Sequence, residues 1–141
     1  MAETLSSEQY SATLIDHFNH PRNAGRMEDA DAEAFVTNPV CGDSMRMFLR
    51  FAPDESGVEG SVRIAAASFL SSGCPASIAT SSVATEMVTG RTPEEAEALT
   101  RDDYAAAVGG LPASKVHCSV LAAAAVRNAI ALWRTQQQPA P

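Results

Sequence analysis

One stretch of eight residues, SMRMFLRF at positions 44–51, most restricts what this chain can fold into. Apolar side chains recur at every second position along it, which is the period of a strand with one buried face. Turn residues follow from Pro53 to Gly57, and a run of small apolar side chains extends from Val58 to Leu70. The pattern predicts two antiparallel strands joined as a hairpin. Residues 33–38 predict a further short strand.

Helix signals lie on both sides of these strands. Residues 6–20 place apolar side chains on one face, with Ser6 or Ser7 as the N-cap and Pro21 after the end. Cys74 is the predicted N-cap of a helix that has Pro75 at its first position and ends before Gly90. Further helices are predicted from the capping box at Thr92 to residue 99, over 102–108 and over 114–135.

The order of helix, strands and then helices predicts an α+β fold. The length of 141 residues suits one domain, spanning 1–141. About six residues at each end are expected to be flexible.

Composition excludes several classes of function. The net charge is −7 and no cluster of Lys and Arg is visible, which argues against nucleic-acid binding. No window reaches the roughly 18 apolar residues expected of a membrane span. The N-terminus has neither a basic region nor an apolar core, as a signal peptide would. We therefore expect a cytoplasmic protein.

The three cysteines carry the strongest functional signal. Cys41 lies in the turn NPVCGD, Cys74 at a helix N-cap and Cys118 in the first turns of the last predicted helix. An odd number of cysteines in an unsecreted protein favours reactive or metal-binding thiols over disulfides. A helix N-terminus also favours the thiolate, which predicts a thiolate cluster. The alternative is that all three are small buried hydrophobic residues.

The sequence separations of the three cysteines indicate which kind of metal site they could form. The cysteines lie 33 and 44 residues apart, without the close pairs of a structural zinc site. Single ligands from three loops fit an exposed site that accepts and releases its metal, and thiolates suit zinc or iron–sulfur clusters.

Three neighbours of the cysteines are further candidates. Asp43 follows Cys41 by two residues and is either a turn residue or a metal ligand. His117 precedes Cys118 and is either a solvated histidine or a ligand. Lys115 is either a solvated lysine or a group that stabilises a nearby thiolate or persulfide. His17 and His20 are expected to be surface or capping residues.

Four stretches, in this order, give the chain a resemblance to a known family: YSATLIDHFNHPRNAG, NPVCGDSM, SSGCPASIATSS and LPASKVHCSVLAAAAVRNAI. Together they resemble the iron–sulfur cluster assembly scaffolds of the IscU type, also found as the N-terminal domain of NifU. The resemblance implies a SufE/IscU-like fold with a three-stranded antiparallel sheet packed against several helices.

The resemblance also implies a site and partners. Cys41, Cys74 and Cys118 would hold a labile [2Fe–2S] cluster, with His117 or Asp43 as fourth ligand, and zinc could occupy the same ligands. The three cysteines are then candidate persulfide acceptors, served by a cysteine desulfurase, and recipient apoproteins take the cluster. Family members that use an Hsp70-type chaperone pair carry LPPVK, whereas residues 111–115 read LPASK, which weighs against that partner. This reading makes the protein a carrier and not an enzyme.

Three alternatives remain open on the sequence. The first resembles the SufU branch, a zinc-dependent sulfur acceptor and sulfurtransferase partner of the desulfurase; such proteins lack the His before the third Cys and carry an insertion that is not evident here. The second is a cysteine hydrolase with His117 as base, which neighbouring helix positions about 100° apart disfavour. The third is a structural zinc module for protein binding, whose closed site would be inert.

Overall fold

The fold is described by a computed structural model that covers residues 10–39, 42–58 and 60–137. Cys41, Ser6, Ser7 and the two ends that were expected to be flexible lie outside these ranges, except for residues 136 and 137. The described elements, in chain order, are α1 (Ala12–Asn19), β1 (Ala32–Thr37), β2 (Ser44–Pro53), β3 (Val62–Ser72), α2 (Pro75–Val88), α3 (Pro93–Glu97), α4 (Arg101–Ala107), a 3-10 turn (Ala113–Lys115) and α5 (Val116–Gln137).

The three strands form one antiparallel sheet in the order β1-β2-β3. The alternation in β2 points Met45, Met47 and Leu49 to the same face, and all three are fully buried. This face packs against α5 and α2, where small and branched side chains of both helices complete the core. The predicted α+β fold with helices on a three-stranded sheet is confirmed.

The opposite face of the sheet is partly covered by the segment between α1 and β1. Residues 23–25 pair with Phe69 at the free edge of β3, through Phe69 N–H to the Asn23 carbonyl and Gly25 N–H to the Phe69 carbonyl. The Arg26 guanidinium lies 5.4 Å from the centre of the Phe48 ring. Phe48 is fully buried, although its position in the alternation is on the outer face.

Helix α1 begins later than the sequence predicts. Its N-cap is Ser11, whose hydroxyl accepts the Leu14 N–H, so neither Ser6 nor Ser7 caps it. The same hydroxyl donates to the Val108 carbonyl at the end of α4. This hydrogen bond ties the start of α1 to α4.

His17 is buried, which makes the expectation of a surface residue wrong. It is 6% exposed and its Nδ1 lies 2.7 Å from the Ser82 hydroxyl of α2. His20 is exposed at the C-cap of α1, as expected.

Helix α5, with the turn before it, is long and apolar enough to cross a membrane by length and composition alone, over Ala113–Gln137. The expectation that no stretch of the chain is apolar enough to span a membrane is therefore wrong by the criterion of length and composition. Half of the window is buried against the sheet and the other helices. A core helix meets the same criterion, so this is weak evidence for a membrane span.

Candidate metal centre

The site lies where the sheet topology brings three chain segments to one end. Ser44 pairs with Ser72, so Asp43, just before β2, stands beside Gly73, just after β3. Cys74 is the next residue and forms the N-cap of α2, with Pro75 at the first helical position. Helix α5 packs along α2 and places Cys118 of its first turn at the same end.

Three ligand-type atoms meet at this point. The two sulfurs, Sγ of Cys74 and Sγ of Cys118, are 3.6 Å apart. Oδ2 of Asp43 lies 3.4 Å from the Cys74 sulfur and 3.9 Å from the Cys118 sulfur. These three residues form a group of potential metal ligands whose donor atoms all lie within 4.8 Å of one another.

These separations fit a tetrahedral metal. Bonds of about 2.3 Å to sulfur and about 2.1 Å to oxygen put neighbouring ligand atoms about 3.6–3.8 Å apart in a tetrahedron. The three measured separations bracket that range. Two soft sulfurs with one hard oxygen suit zinc or the iron of a cluster.

Gly73 makes room for the aspartate. A Cβ at this position would lie 2.6 Å from both Cγ and Oδ1 of Asp43, closer than real Cβ contacts. Asp43 is only 6% exposed as a result of this close fit. Any side chain at 73 would push the carboxylate out of its place.

Ser77 lies beneath the ligands and was not singled out by the sequence. It is fully buried in the first turn of α2. Its hydroxyl donates to Oδ2 of Asp43 at 2.7 Å and lies 3.3 Å from the sulfur of Cys118. No spacing rule in the sequence identifies a serine in this role, because its importance depends on the fold.

His117 stands at the rim of the site. Its Nε2 lies 3.7 Å from Oδ2 of Asp43, which is too long for a hydrogen bond. Among the described residues this buried nitrogen has no hydrogen-bond partner. His117 is not part of the group of ligand atoms that lie within 4.8 Å of one another, so its role as fourth ligand stays a prediction.

Lys115 and Cys41 are the two predicted site residues for which the described structure shows no hydrogen bond or ion pair with the site. Lys115 lies in the 3-10 turn just before α5 and is partly exposed. Across residues 10–39, 42–58 and 60–137, none of its side-chain hydrogen bonds or ion pairs reaches the site. Cys41 lies outside the described residues, two positions before Asp43 in the sequence.

The two described thiols differ in their pKa. The hydrogen bond with Cys118 lowers the pKa of Cys74 to about 5, helped by Ser77 and opposed by burial and by the charge of Asp43. The hydrogen bond with Cys74 and burial both raise the pKa of Cys118. Both shifts come mainly from the hydrogen bond between the two sulfurs, which favours the thiolate at Cys74. The predicted thiolate cluster stays a prediction.

The fold and this mixed sulfur and oxygen site define a small α+β domain with three residues that could hold a metal ion. The family model of the NifU-like N terminal domain matches residues 9–140. The chain therefore belongs to that family.

Relatives named as scaffold proteins are similar along most of their length. The iron–sulfur cluster assembly scaffold protein IscU 1 of Archaeoglobus fulgidus is 50% identical over 121 residues, covering 86% of this chain and 74% of that protein. IscU of Azotobacter vinelandii is 40% identical over 124 residues, covering 86% and 91%. IscU of Escherichia coli K12 is 36% identical over 132 residues, covering 92% and 97%.

Solved structures share the fold. An N-terminal NifU-like protein from Brucella abortus superposes with a TM-score of 0.65 at 18% identity, covering 94% of this chain and 98% of that one. A candidate iron–sulfur cluster scaffold for the SUF system from Fervidobacterium islandicum AW-1 gives 0.66 at 21% identity, covering 89% and 99%. At these identities the similarity is one of fold.

Proposed function

We propose that this chain is a non-enzymatic scaffold on which iron–sulfur clusters are assembled and from which they pass to apoproteins. The observation that carries the proposal is the meeting of Asp43, Cys74 and Cys118 at tetrahedral spacing. The relatives named as IscU scaffolds, at 36–50% identity over most of the chain, support the same function.

The ligand set follows from the site and the family. Cys41, Cys74 and Cys118 supply thiolates, and Asp43 or His117 supplies the fourth ligand of a [2Fe–2S] cluster. A carboxylate oxygen is a hard ligand among soft sulfurs, so it is the weak bond to iron through which the cluster can leave. Zinc can bind the same atoms, because its preferred ligands include thiolate, imidazole and carboxylate.

Sulfur would arrive from a cysteine desulfurase as a persulfide. The acceptor thiolate attacks the outer sulfur, the S–S bond of the donor breaks, and the donor cysteine leaves as thiolate. Cys118, Cys41 and Cys74 remain the candidate acceptors; of the two described, Cys74 is the more exposed. Lys115, in the 3-10 turn just before α5, is the proposed group that would stabilise the anionic persulfide.

Assembly must also balance electrons. Two ferrous ions and two sulfane sulfurs need two further electrons from an external one-electron donor to give [2Fe–2S]²⁺, in which both irons are ferric and both sulfurs are sulfide. The protein supplies the thiolates and the enclosed end of the sheet that hold the iron. An Hsp70-type chaperone pair is not part of the proposal, because residues 111–115 read LPASK.

The test is anaerobic reconstitution with ferrous iron, cysteine, a one-electron reductant and a catalytic amount of desulfurase. We expect visible charge-transfer bands of a [2Fe–2S] cluster that disappear as an added apo-ferredoxin gains its own spectrum. Cys74→Ser should yield neither signal. Failure of the wild-type protein to form or transfer a cluster would contradict the scaffold function.

A sulfur acceptor of the SufU type is the second candidate, favoured by the same tetrahedral spacing and by the fold shared with the SUF-system structure. In that case the reconstitution would give tightly held zinc, no cluster and faster desulfurase turnover. The presence of His117 favours the scaffold, because proteins of the SufU type lack the His before the third Cys. A cytoplasmic location stays a prediction.

A further inference from the structure

One buried hydroxyl contacts both the carboxylate and a cysteine sulfur of the site. Ser77 is fully buried, and its Oγ lies 2.7 Å from Oδ2 of Asp43 and 3.3 Å from Sγ of Cys118. Oδ2 is also the carboxylate oxygen that faces both sulfurs and the His117 ring. The serine therefore contacts the one atom through which Asp43 would bind a metal.

Three other hydroxyls of the same helix bond to the backbone of its preceding turn. Thr80 donates to the Ala76 carbonyl, Ser81 to the Ser77 carbonyl and Thr85 to the Ser82 carbonyl. Such bonds to the preceding turn are the usual arrangement for a helical serine or threonine. Ser77 instead directs its hydroxyl out of the helix towards the candidate ligands.

The geometry restricts how the carboxylate can move. The hydroxyl has a single proton, and the 2.7 Å contact with Asp43 is the shortest of its three contacts with the candidate ligands; Cys118 lies at 3.3 Å and Cys74 at 3.8 Å. The Gly73 backbone packs so closely on the same carboxylate that a Cβ there would lie 2.6 Å from both Cγ and Oδ1. The carboxylate is thus restricted by a hydrogen-bond donor at Oδ2 and by a closely packed backbone at Oδ1.

We propose that Ser77 is a positioning residue, whose hydroxyl holds the Asp43 carboxylate with Oδ2 towards Cys74 and Cys118, so that Asp43 joins the ligand set. Ser77 acts through Asp43 and does not bind the metal itself. This inference rests on the metal site of the proposed function. Groups that orient metal ligands in this way typically change affinity by about 10–100-fold when removed.

The experiment measures metal binding to the full chain, without any cluster chemistry. Zinc affinity is obtained by competition with a chelating dye, and Co²⁺ spectra report the ligand set through thiolate charge-transfer and d–d bands. We expect Ser77→Ala to weaken zinc binding by about 10–100-fold and to alter the d–d bands. The charge-transfer band should persist, because the thiolates remain. Ser77→Thr, which keeps the hydroxyl, should bind within about threefold of wild type.

A double-mutant cycle separates positioning from a general structural effect. In an Asp43→Ala background, Ser77→Ala should cause no further loss of affinity, since the group it positions is gone. Ser81→Ala is the matched control, because it removes a buried hydroxyl one turn along that bonds only to a backbone carbonyl. It should bind zinc as the wild type does.

Two results would overturn the proposal. One is wild-type affinity and Co²⁺ spectrum in Ser77→Ala. The other is an equal loss of affinity in the presence and absence of Asp43. Failure of the proposed function is a separate outcome, in which the wild type binds zinc and Co²⁺ but forms no transferable cluster.

Discussion

At the scale of single residues, the site depends as much on a missing side chain as on those present. Asp43 reaches the thiols because residue 73 is glycine, and a methyl group there would overlap Cγ of Asp43. Gly73 does not have a positive φ, so alanine is compatible with its backbone. The effect of a substitution at this position is therefore steric and local.

Gly73→Ala should weaken zinc binding by about 10–100-fold by displacing the carboxylate, with little change in the melting temperature. Dye competition measures the affinity and circular dichroism the thermal transition. Ser72→Ala, at the exposed neighbouring position, should match the wild type in both. Wild-type affinity in Gly73→Ala would mean that Asp43 is not a ligand.

Sequence patterns predicted some of these residues and not others. Cys74 and Cys118 stood out because cysteine at a helix start is chemically distinctive, and Asp43 because it follows Cys41 closely. Ser77 was missed because serine is common in the first turn of a helix, and only the fold brings its hydroxyl to a carboxylate 34 positions away. The burial of His17 was missed because it depends on packing between two helices.

At the scale of elements, α1 is held to α2 by a polar contact in a buried setting. The Ser82 hydroxyl accepts the Arg22 N–H and has its one proton available for Nδ1 of His17. In that arrangement the ring is neutral with its proton on Nε2, which faces Glu86 at 3.6 Å. Burial, and then the charge of Arg22, lower the pKa of His17, while Glu86 and Asp16 oppose the shift.

This predicts a pH-dependent stability of the α1–α2 contact. The folded pKa of His17 lies below its unfolded value of about 6.5, so the unfolded chain binds the proton more readily. The contribution of His17 is complete above pH 6.5 and is lost as the pH falls from there through the folded pKa. Urea unfolding at several pH values between about 5 and 8 measures the effect.

His17→Gln keeps a hydrogen-bond acceptor for Ser82 but has no titrating group. Its free energy of unfolding should depend less steeply on pH than that of the wild type. His20→Gln, which changes an exposed histidine three residues away, should retain the wild-type slope. Equal slopes in all three proteins would exclude His17 as the source.

The elements themselves were largely predictable where local signals are strong. Cys74-Pro75 gave the start of α2, and the capping box at Thr92 is present as predicted. The start of β3 was placed at Val58 but lies at Val62, because Asp54 organises a longer turn. Its carboxylate accepts from the Ser56 N–H, the Ser61 hydroxyl and Arg63. Side-chain bonds of this kind leave little trace in hydrophobic periodicity.

At the scale of the whole molecule, the site lies at one end of the elements that bury the main core along their length. Cys118 and Trp133 are separated by 15 residues of α5, a distance of about 22 Å along the helix axis. At the end far from the site, Trp133 stacks on Phe51 of β2, with ring centres 4.2 Å apart. Among the described residues, the main core between sheet and helices contains none of the candidate ligands; Cys118 and the partly buried Cys74 belong to a smaller cluster.

This separation predicts that stability and metal binding can be changed independently. Cys74→Ser should abolish tight zinc binding, and the melting temperature of the metal-free protein should stay close to that of the metal-free wild type. Trp133→Ala should lower the free energy of unfolding by about 2 kcal/mol, less than the ~3–5 kcal/mol for fully buried aromatic residues, because Trp133 is only partly buried. Its zinc affinity should be unchanged. Chemical denaturation and dye competition on both variants measure the two properties.

A structural zinc module would instead lose its folded far-UV spectrum on chelation or in Cys74→Ser, because its binding free energy is folding free energy. A carrier has to remain folded while its cargo leaves, so independence of the two properties is the behaviour that the proposed function requires.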